Sequence, residues 1–303
     1  MYSASRDSTD QQNSMIDNSF AIVTPSFRPD LARCELLSES VDRFSTDINH
    51  YILIDRRDFK YFRHLESTKR KLVLSEDLIG KWLMRLPGRN GWWIGWRSQP
   101  VRGWILQQLL KISATSVAPE DTLVFCDSDT VFIRPFSGRD FLIGDKVGLL
   151  DVPFANDDII RWSKISRQVL GIADRQNQAP RGHVGNMICW SRPIAAAMQD
   201  HIANVHGIPW QVALARRTSF SEYMLYGTFV REILGYGATN HTPSQVPLVK
   251  ANWGGPIHND ASANAFVNEV APESIALMIH SKDNSDMDSV IRAVRQSWSR
   301  NSS

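Results

Sequence analysis

VFCDSDTVF, residues 124–132, is the stretch on which the reading of this chain turns. With Leu123 ahead of it, the run Leu123, Val124, Phe125 and Cys126 is long enough for a buried strand and too short for a helix. That apolar run ends abruptly in Asp127-Ser128-Asp129. In an open α/β sheet, ligands bind beyond the carboxyl ends of the strands. Two carboxylates placed there repel each other unless a cation lies between them. A hard divalent ion with oxygen ligands meets that need and bridges to phosphate oxygens. Asp, Ser and Asp are also ordinary turn formers, so a plain turn after a strand explains the same three residues.

Outward from this segment the chain alternates strand and helix. FAIVT, from Phe20, reads as a strand entering the loop PSFRPD, and Asp30 is placed to cap a helix over 31–44 with Leu31, Leu36, Leu37 and Val41 on one face. HYILID (50–55) reads as a second strand, RRDFKYFRHL as a short helix and KLVLS as a third strand. GRNGWWIGWRSQPVRG (88–103), rich in Gly, Arg and Trp, reads as a loop with its own packing. WILQQLLKISATS reads as the helix that leads into a strand over 122–133. Further strands are expected at 146–153, 185–191 and in IALMIHSKDN (275–284), the last beside the central sheet. Helices are expected over 157–170, in PIAAAMQDHIANV, in SFSEYMLYGTFVREIL and over 287–298. This alternation predicts an α/β fold: one Rossmann-like domain over 19–303, with a mixed, mostly parallel sheet and helices on both faces. Residues 1–18 are polar and patternless and read as a disordered tail.

Composition narrows the function. The chain has 303 residues, 43% hydrophobic and 22% charged, which permits a sizeable core. With 34 Lys and Arg against 32 Asp and Glu, the net charge of +2 gives no support to a nucleic-acid partner held by phosphate neutralisation. Cys34, Cys126 and Cys189 are odd in number and form no CxxC pair, which fits buried thiols in a reducing compartment. No stretch reaches the roughly 18 apolar residues of a membrane span, and the polar first residues lack the apolar core of a secretory signal. The expectation is a cytoplasmic protein, with peripheral association with a membrane left open.

The order strand–TPSFRPD–helix, WxxQQLLK, FCDSDTVF, HVGNMICWSR, FSEYMLYG and IHSKDN resembles an uncharacterised group of bacterial glycosyltransferase-like proteins. That group is similar in turn to GT-A enzymes, including glycogenin-like and galactosyltransferase relatives. The resemblance runs from about residue 20 to 284. It implies a GT-A-like domain and a metal-dependent transfer of a sugar from a nucleoside diphosphate sugar to a hydroxyl on a glycan or lipid-linked glycan, with synthesis of a surface polysaccharide as the setting. It implies Asp127 and Asp129 as ligands of Mn2+ or Mg2+, with Asp129 at the reacting centre, and His280 as a third ligand. It places Thr24, Pro25 and Ser26 at the nucleotide, Asp55 at the base or ribose, Asn186 at the donor sugar and Lys282 at the diphosphate. Gln107 and Lys111 lie one helical turn apart and share a face, from which Lys111 could meet a phosphate; a solvated helix face explains both as well. Glu222 opens a helix, where the dipole alone favours it, and is also where a general base for the acceptor is expected. Trp92, Trp93 and Trp96 serve either as stacking platforms or as an anchor for their loop.

Two other classes fit parts of the pattern. DSDTV matches the aspartyl-nucleophile signature of haloacid-dehalogenase-type phosphatases, with Asp127 as nucleophile and Asp157-Asp158 as a later metal pair. That signature usually opens its domain, whereas here about a hundred residues precede it. A non-catalytic glycan- or nucleotide-binding module accounts for the tryptophans and leaves the two aspartates without a purpose.

Overall fold

The computed structural model describes residues 18–86, 91–154, 156–173, 181–252, 255–280 and 283–300. Its first strand, β1 (Phe20–Pro25), is buried at every position. Both of its faces are therefore covered, which is why it reads as a continuous apolar run and not as an alternating one. The pleat sends Ala21 and Val23 into one core and Phe20 and Ile22 into the other. The chain then alternates through α1 (Leu31–Phe44), β2 (Asn49–Ile54), α2 (Phe59–Phe62), β3 (Arg70–Leu74) and α3 (Ser75–Ile79). After the short β4 (Leu83–Arg85), β5 (Trp92–Gly95) and β6 (Ser98–Arg102), α4 (Gly103–Ser113) leads to β7 (Thr122–Phe125) and β8 (Thr130–Phe132). Next come β9 (Leu142–Ile143), β10 (Lys146–Leu150), α5 (Asp157–Val169), β11 (Ile188–Ser191), α6 (Arg192–His206), α7 (Trp210–Ala215) and α8 (Glu222–Thr228). The chain closes with β12 (His241–Ser244), β13 (Val249–Asn252), α9 (Asp260–Asn268), β14 (Ala276–Ile279) and α10 (Met287–Arg300).

The central sheet has the order β11-β7-β1-β2-β3. β3, β2, β1 and β7 run parallel, and β11 is antiparallel at the edge. One core lies against α4, α6, α7 and α8, the other against α1, α9 and α10. The expected class, a mixed and mostly parallel sheet with helices on both faces, is the one found. From β1 the chain builds outward through β2 and β3, then returns to the opposite side of β1 as β7. The strand order reverses between β1 and β7, so the crevice of such a sheet opens at their carboxyl ends.

Three expectations are corrected. Of the expected loop over 88–103, the described part from Gly91 onward holds two strands: β4, β5 and β6 form an antiparallel sheet. Trp93 points in, 3% exposed, and Ile94 points out, 36% exposed. Apolar residues on both faces hide the period of two. Gly95 is needed at the hairpin, because a Cβ there would lie 2.5 Å from the Trp82 carbonyl oxygen. Residues 122–133 are two strands, not one, since the chain turns at Asp127, where the Thr130 amide donates to the Asp127 carbonyl (3.0 Å). β14 does not join the central sheet but lies between β13 and β8. A local apolar run fixes that a strand is buried, not which sheet buries it. The tail proposed over 1–18 lies, apart from Asn18, outside the described residues. All three cysteines are free and buried.

α8 continues as a π-helical turn over Phe229–Leu234, and Gly227 near that junction accommodates His183. The His183 ring is 2% exposed and donates from Nδ1 to the Leu150 carbonyl (2.7 Å). A Cβ on Gly227 would stand 2.2 Å from its Cγ. Alanine is the better helix former by about 1 kcal/mol, but a buried, hydrogen-bonded ring cannot yield that much space. Gly227→Ala should therefore destabilise by about 1–3 kcal/mol. Urea unfolding at neutral pH reads this, and an unchanged or raised midpoint would refute the packing argument.

Candidate functional site

The carboxyl end of β7 carries the apolar run straight to the crevice. The Cys126 amide donates to the Val23 carbonyl (3.1 Å), so pairing with β1 lasts until the residue before Asp127. Asp127 and Asp129 are half-buried, and Ser128 between them is buried. From the β1 side, the single turn Arg28–Asp30 brings Asp30 close enough to accept from the Ser128 hydroxyl (3.4 Å). Burial raises the Asp30 carboxyl above its ordinary value, with a smaller push from Asp127; Arg33, 3.6 Å away, and the Ser128 hydroxyl act against it. A small cleft beside Asp129 is lined by Arg33, Ser128, Thr130, Ile279 and Met287.

Behind Asp127 stands Lys111, on the last turn of α4 and 3% exposed. Its ammonium lies 2.9 Å from Asp127 Oδ1 and 3.1 Å from Glu222 Oε1, and donates to the Tyr223 hydroxyl at 2.8 Å. Burial alone would lower the lysine pKa. The facing carboxylates of Asp127 and Glu222 outweigh it and hold the value well above the usual lysine range. Lys111 is thus a fixed cation. Burial pushes the Tyr223 hydroxyl well up, so it stays neutral.

The geometry follows from two helix starts. Trp104, Gln108 and Lys111 recur at the i, i+4, i+7 spacing of one helix face. Gln108 Nε2 donates to the Trp104 carbonyl (3.3 Å), and its Oε1 accepts from the Glu222 amide (2.9 Å). Ser221 caps α8 by accepting from the Met224 amide (3.3 Å). Gln108 and Ser221 together satisfy two of the amide donors that a helix start leaves open. They also fix the Glu222 carboxylate on Lys111. Gln108 and Tyr223 are the contributors that sequence reasoning missed. Each is the immediate neighbour of a chosen residue, Gln107 and Glu222. Gln107 itself is half-buried on an adjoining face.

The other expected residues divide. β11 begins at Ile188, paired with Phe125, and the half-buried Asn186 lies two residues ahead of it. Met187, between Asn186 and Ile188, has φ 62°, a left-handed conformation that costs a non-glycine residue roughly 1–2 kcal/mol and takes the chain out of the ladder. His280 follows β14, and the Ile279 amide donates to the Asp129 carbonyl (3.0 Å), so His280 is brought beside the Asp turn. Its ring is turned to Asp283, with Nδ1 3.2 Å from Oδ1. Thr24 and Pro25 are buried, the Thr24 hydroxyl accepts from His50 Nε2 inside the sheet (2.9 Å), and Ser26, although half-buried as a residue, has its hydroxyl oxygen enclosed and its amide donating to the Leu53 carbonyl (2.9 Å). Asp55 ends β2 but is engaged by the Arg57 amide (3.1 Å) and by ion pairs with Arg85 and Arg57. Lys282 lies outside the described residues. Trp93 anchors its sheet, Trp92 lies under the Arg102 guanidinium, and Trp96 is 72% exposed.

Asp127 and Asp129 suit a divalent ion chemically. Lys111 takes one oxygen of Asp127, and that side chain remains 36% exposed. The three-ligand set with His280 is not assembled: among the described residues no group of three or more His, Cys, Asp or Glu could hold a metal. The arrangement fits an open site of two carboxylates whose remaining ligands come from phosphate and water, the usual mode for magnesium. Asp157 and Asp158, needed as a second acidic pair by the phosphatase reading, are exposed in the first turn of α5, where Asn156 caps the helix and Asp158 pairs with Arg161. The helix start accounts for both.

Comparison with known proteins adds a family and a remote likeness. A model for a family of unknown function, DUF6492, matches residues 19–250. No curated protein matches the sequence. Among solved structures, the galactosyltransferase LgtC in complex with donor and acceptor sugar analogs is 12% identical, with 92% of this chain and 95% of that chain covered and a TM-score of 0.44. An active-site mutant of LgtC gives 12%, 91%, 95% and 0.44. Likenesses that remote carry no argument about this chain.

Proposed function

The chain belongs to DUF6492, a family of unknown function, and we propose that it transfers a sugar from a nucleoside diphosphate sugar to a hydroxyl acceptor. One observation carries this reading: Asp127 and Asp129 stand at the carboxyl end of β7, at the point where the strand order reverses, with a buried lysine fixing the first of them. A sugar leaving a diphosphate builds negative charge on the departing group, and stabilising that charge is the main catalytic task. A bound Mn2+ or Mg2+ would supply the compensating charge, held by Asp127 and Asp129. Lys111 sets the angle of the Asp127 carboxylate and, being held protonated, donates no proton. Glu222 holds Lys111 in place. Its side chain is 7% exposed and turned to the ammonium, which supports a positioning role ahead of the acceptor-base role expected from sequence. Asn186, two residues ahead of β11 and half-buried, is the expected donor-sugar contact that this reading keeps, whereas the Ser26 hydroxyl is enclosed.

The test is thermal stabilisation and direct titration with a panel of nucleoside diphosphates and their sugars, with Mn2+ and with EDTA. At least one should bind only with the metal. Asp127→Ala and Asp129→Ala should each weaken that binding by about tenfold or more, and His280→Ala by less, since both carboxylates remain. Equal affinity in both aspartate variants, with and without Mn2+, would remove the proposal. A beryllofluoride adduct on Asp127 would replace it with the phosphatase reading.

A further inference from the structure

From Leu78 to Pro119 the chain has no Asp or Glu, while it carries Lys81, Arg85, Arg89, Arg97, Arg102 and Lys111. In a chain of net charge +2 this is a marked local imbalance. Arg89 lies outside the described residues, Arg85 turns inward to Asp55 and Lys111 is buried at the site, which leaves Lys81, Arg97 and Arg102 exposed. All three belong to the sheet β4-β5-β6 or its edge.

That sheet has two unlike faces. Trp93 and Val101 are opposite each other and are buried at 3% and 2%. The pleat therefore sends Ile94 to the outer face, and Met84, its partner across β4, with it. Met84 is 57% exposed and Ile94 36%. At the hairpin tip, Trp96 is 72% exposed beside Arg97. Arg216, from the end of α7, donates to the Arg97 carbonyl (3.1 Å) and adds another guanidinium there. The Arg102 guanidinium covers the Trp92 ring at 5.3 Å.

We propose that this outer face docks on an anionic lipid surface, with Trp96, Ile94 and Met84 entering the interface and Arg97, Arg102 and Arg216 meeting the headgroups. The pairing of the two chemistries selects this occupant. Tryptophan is favoured at the boundary between hydrocarbon and water, and each arginine near an anionic leaflet adds attraction. An anionic polysaccharide would satisfy the arginines but leave Met84 and Ile94 in water. Burial of aliphatic side chains needs an apolar phase. The proposal stands apart from the reaction at Asp127. It requires only that α4, which starts directly after β6, hold the sheet on the body through Trp93 and Val101.

The experiment is sedimentation of the full chain with vesicles of pure phosphatidylcholine and of phosphatidylcholine with phosphatidylglycerol in equal parts. Binding should appear with the second, weaken steeply with salt, and be at least about tenfold weaker with the first. Arg97→Gln should cost about fivefold and Trp96→Ser about tenfold. Both side chains are exposed, so the melting temperature should not move and loss of fold is excluded as the cause. No binding to the anionic vesicles overturns the proposal, as does equal binding to both kinds with neither variant affected. Retention by soluble dextran sulfate without vesicle binding would also overturn it and assign the face to a polyanionic glycan.

Discussion

Lys111→Met is expected to destabilise the protein by about 3–5 kcal/mol, the usual cost of removing one partner from a buried ion pair. The ammonium bridges Asp127 and Glu222 and is almost wholly buried. Methionine fills a similar volume, so the loss is electrostatic and not a cavity. The two carboxylates do not share it equally. Asp127 is 36% exposed and can turn to water, whereas Glu222, at 7%, is left charged and enclosed. Adding Glu222→Gln to Lys111→Met should therefore restore more stability than adding Asp127→Asn. Chemical unfolding of the single and double variants reads this order directly. A Lys111→Met protein as stable as the parent would mean that the knot contributes nothing, and the reverse order of rescue would mean that Asp127 is the strained partner. The same variant should lose metal-dependent nucleotide binding even where it remains folded, because Asp127 would no longer be oriented.

That knot also marks where sequence reading ends. The Asp turn was legible because four apolar residues stop at a carboxylate, a pattern that few buried strands leave unexplained. Lys111 was legible only as a polar residue on a helix before that strand. Whether it faces solvent or the crevice is decided by α8, whose Glu222 lies far along the chain, and no local pattern carries that information. The choice of Gln107 over Gln108 has the same origin. One residue is about 100° on a helix, and the i, i+4 spacing from Gln107 to Lys111 competes with the i, i+3 spacing from Gln108. His280 shows a different limit. Its apolar run announces a buried strand but not its sheet: β14 reaches the Asp turn from between β13 and β8, and the ring is turned to Asp283 three residues later. The tryptophan-rich segment failed for a third reason: strand alternation is invisible when the exposed face is as apolar as the buried one.

Acid should unfold this protein early, through three buried histidines. Burial, reinforced by the Arg70 guanidinium, pushes His50 down to about 3. Its Nδ1 accepts from Arg70 Nε (3.3 Å) and its Nε2 donates to the Thr24 hydroxyl, so both nitrogens are used in the neutral form. Burial also lowers His241 to about 4, although its hydrogen bond to the Val147 carbonyl acts against this, and it lowers His183. In the unfolded chain all three titrate near 6.5. Above that pH both states are neutral and the histidines add no pH dependence. As the pH falls through 6.5, the unfolded chain takes up protons that the folded chain refuses until about 4 at His241 and about 3 at His50. Stability then falls by about 1.4 kcal/mol per pH unit for each histidine. His50 and His241 alone remove about 6 kcal/mol by pH 4, which is comparable to the whole stability of an ordinary domain. Asp30, whose pKa is raised, protonates first in the folded state and so acts in the opposite direction, but as one group against three. Urea unfolding at pH 7, 6, 5 and 4.5 should show a steepening decline that begins below about 6.5. His50→Gln, which keeps one acceptor and one donor, should flatten that decline by one proton's worth while lowering stability at pH 7. A stability that stays level from pH 7 to pH 5 would mean that these rings accept protons in the folded state, which would rule out the neutral, doubly hydrogen-bonded form of His50.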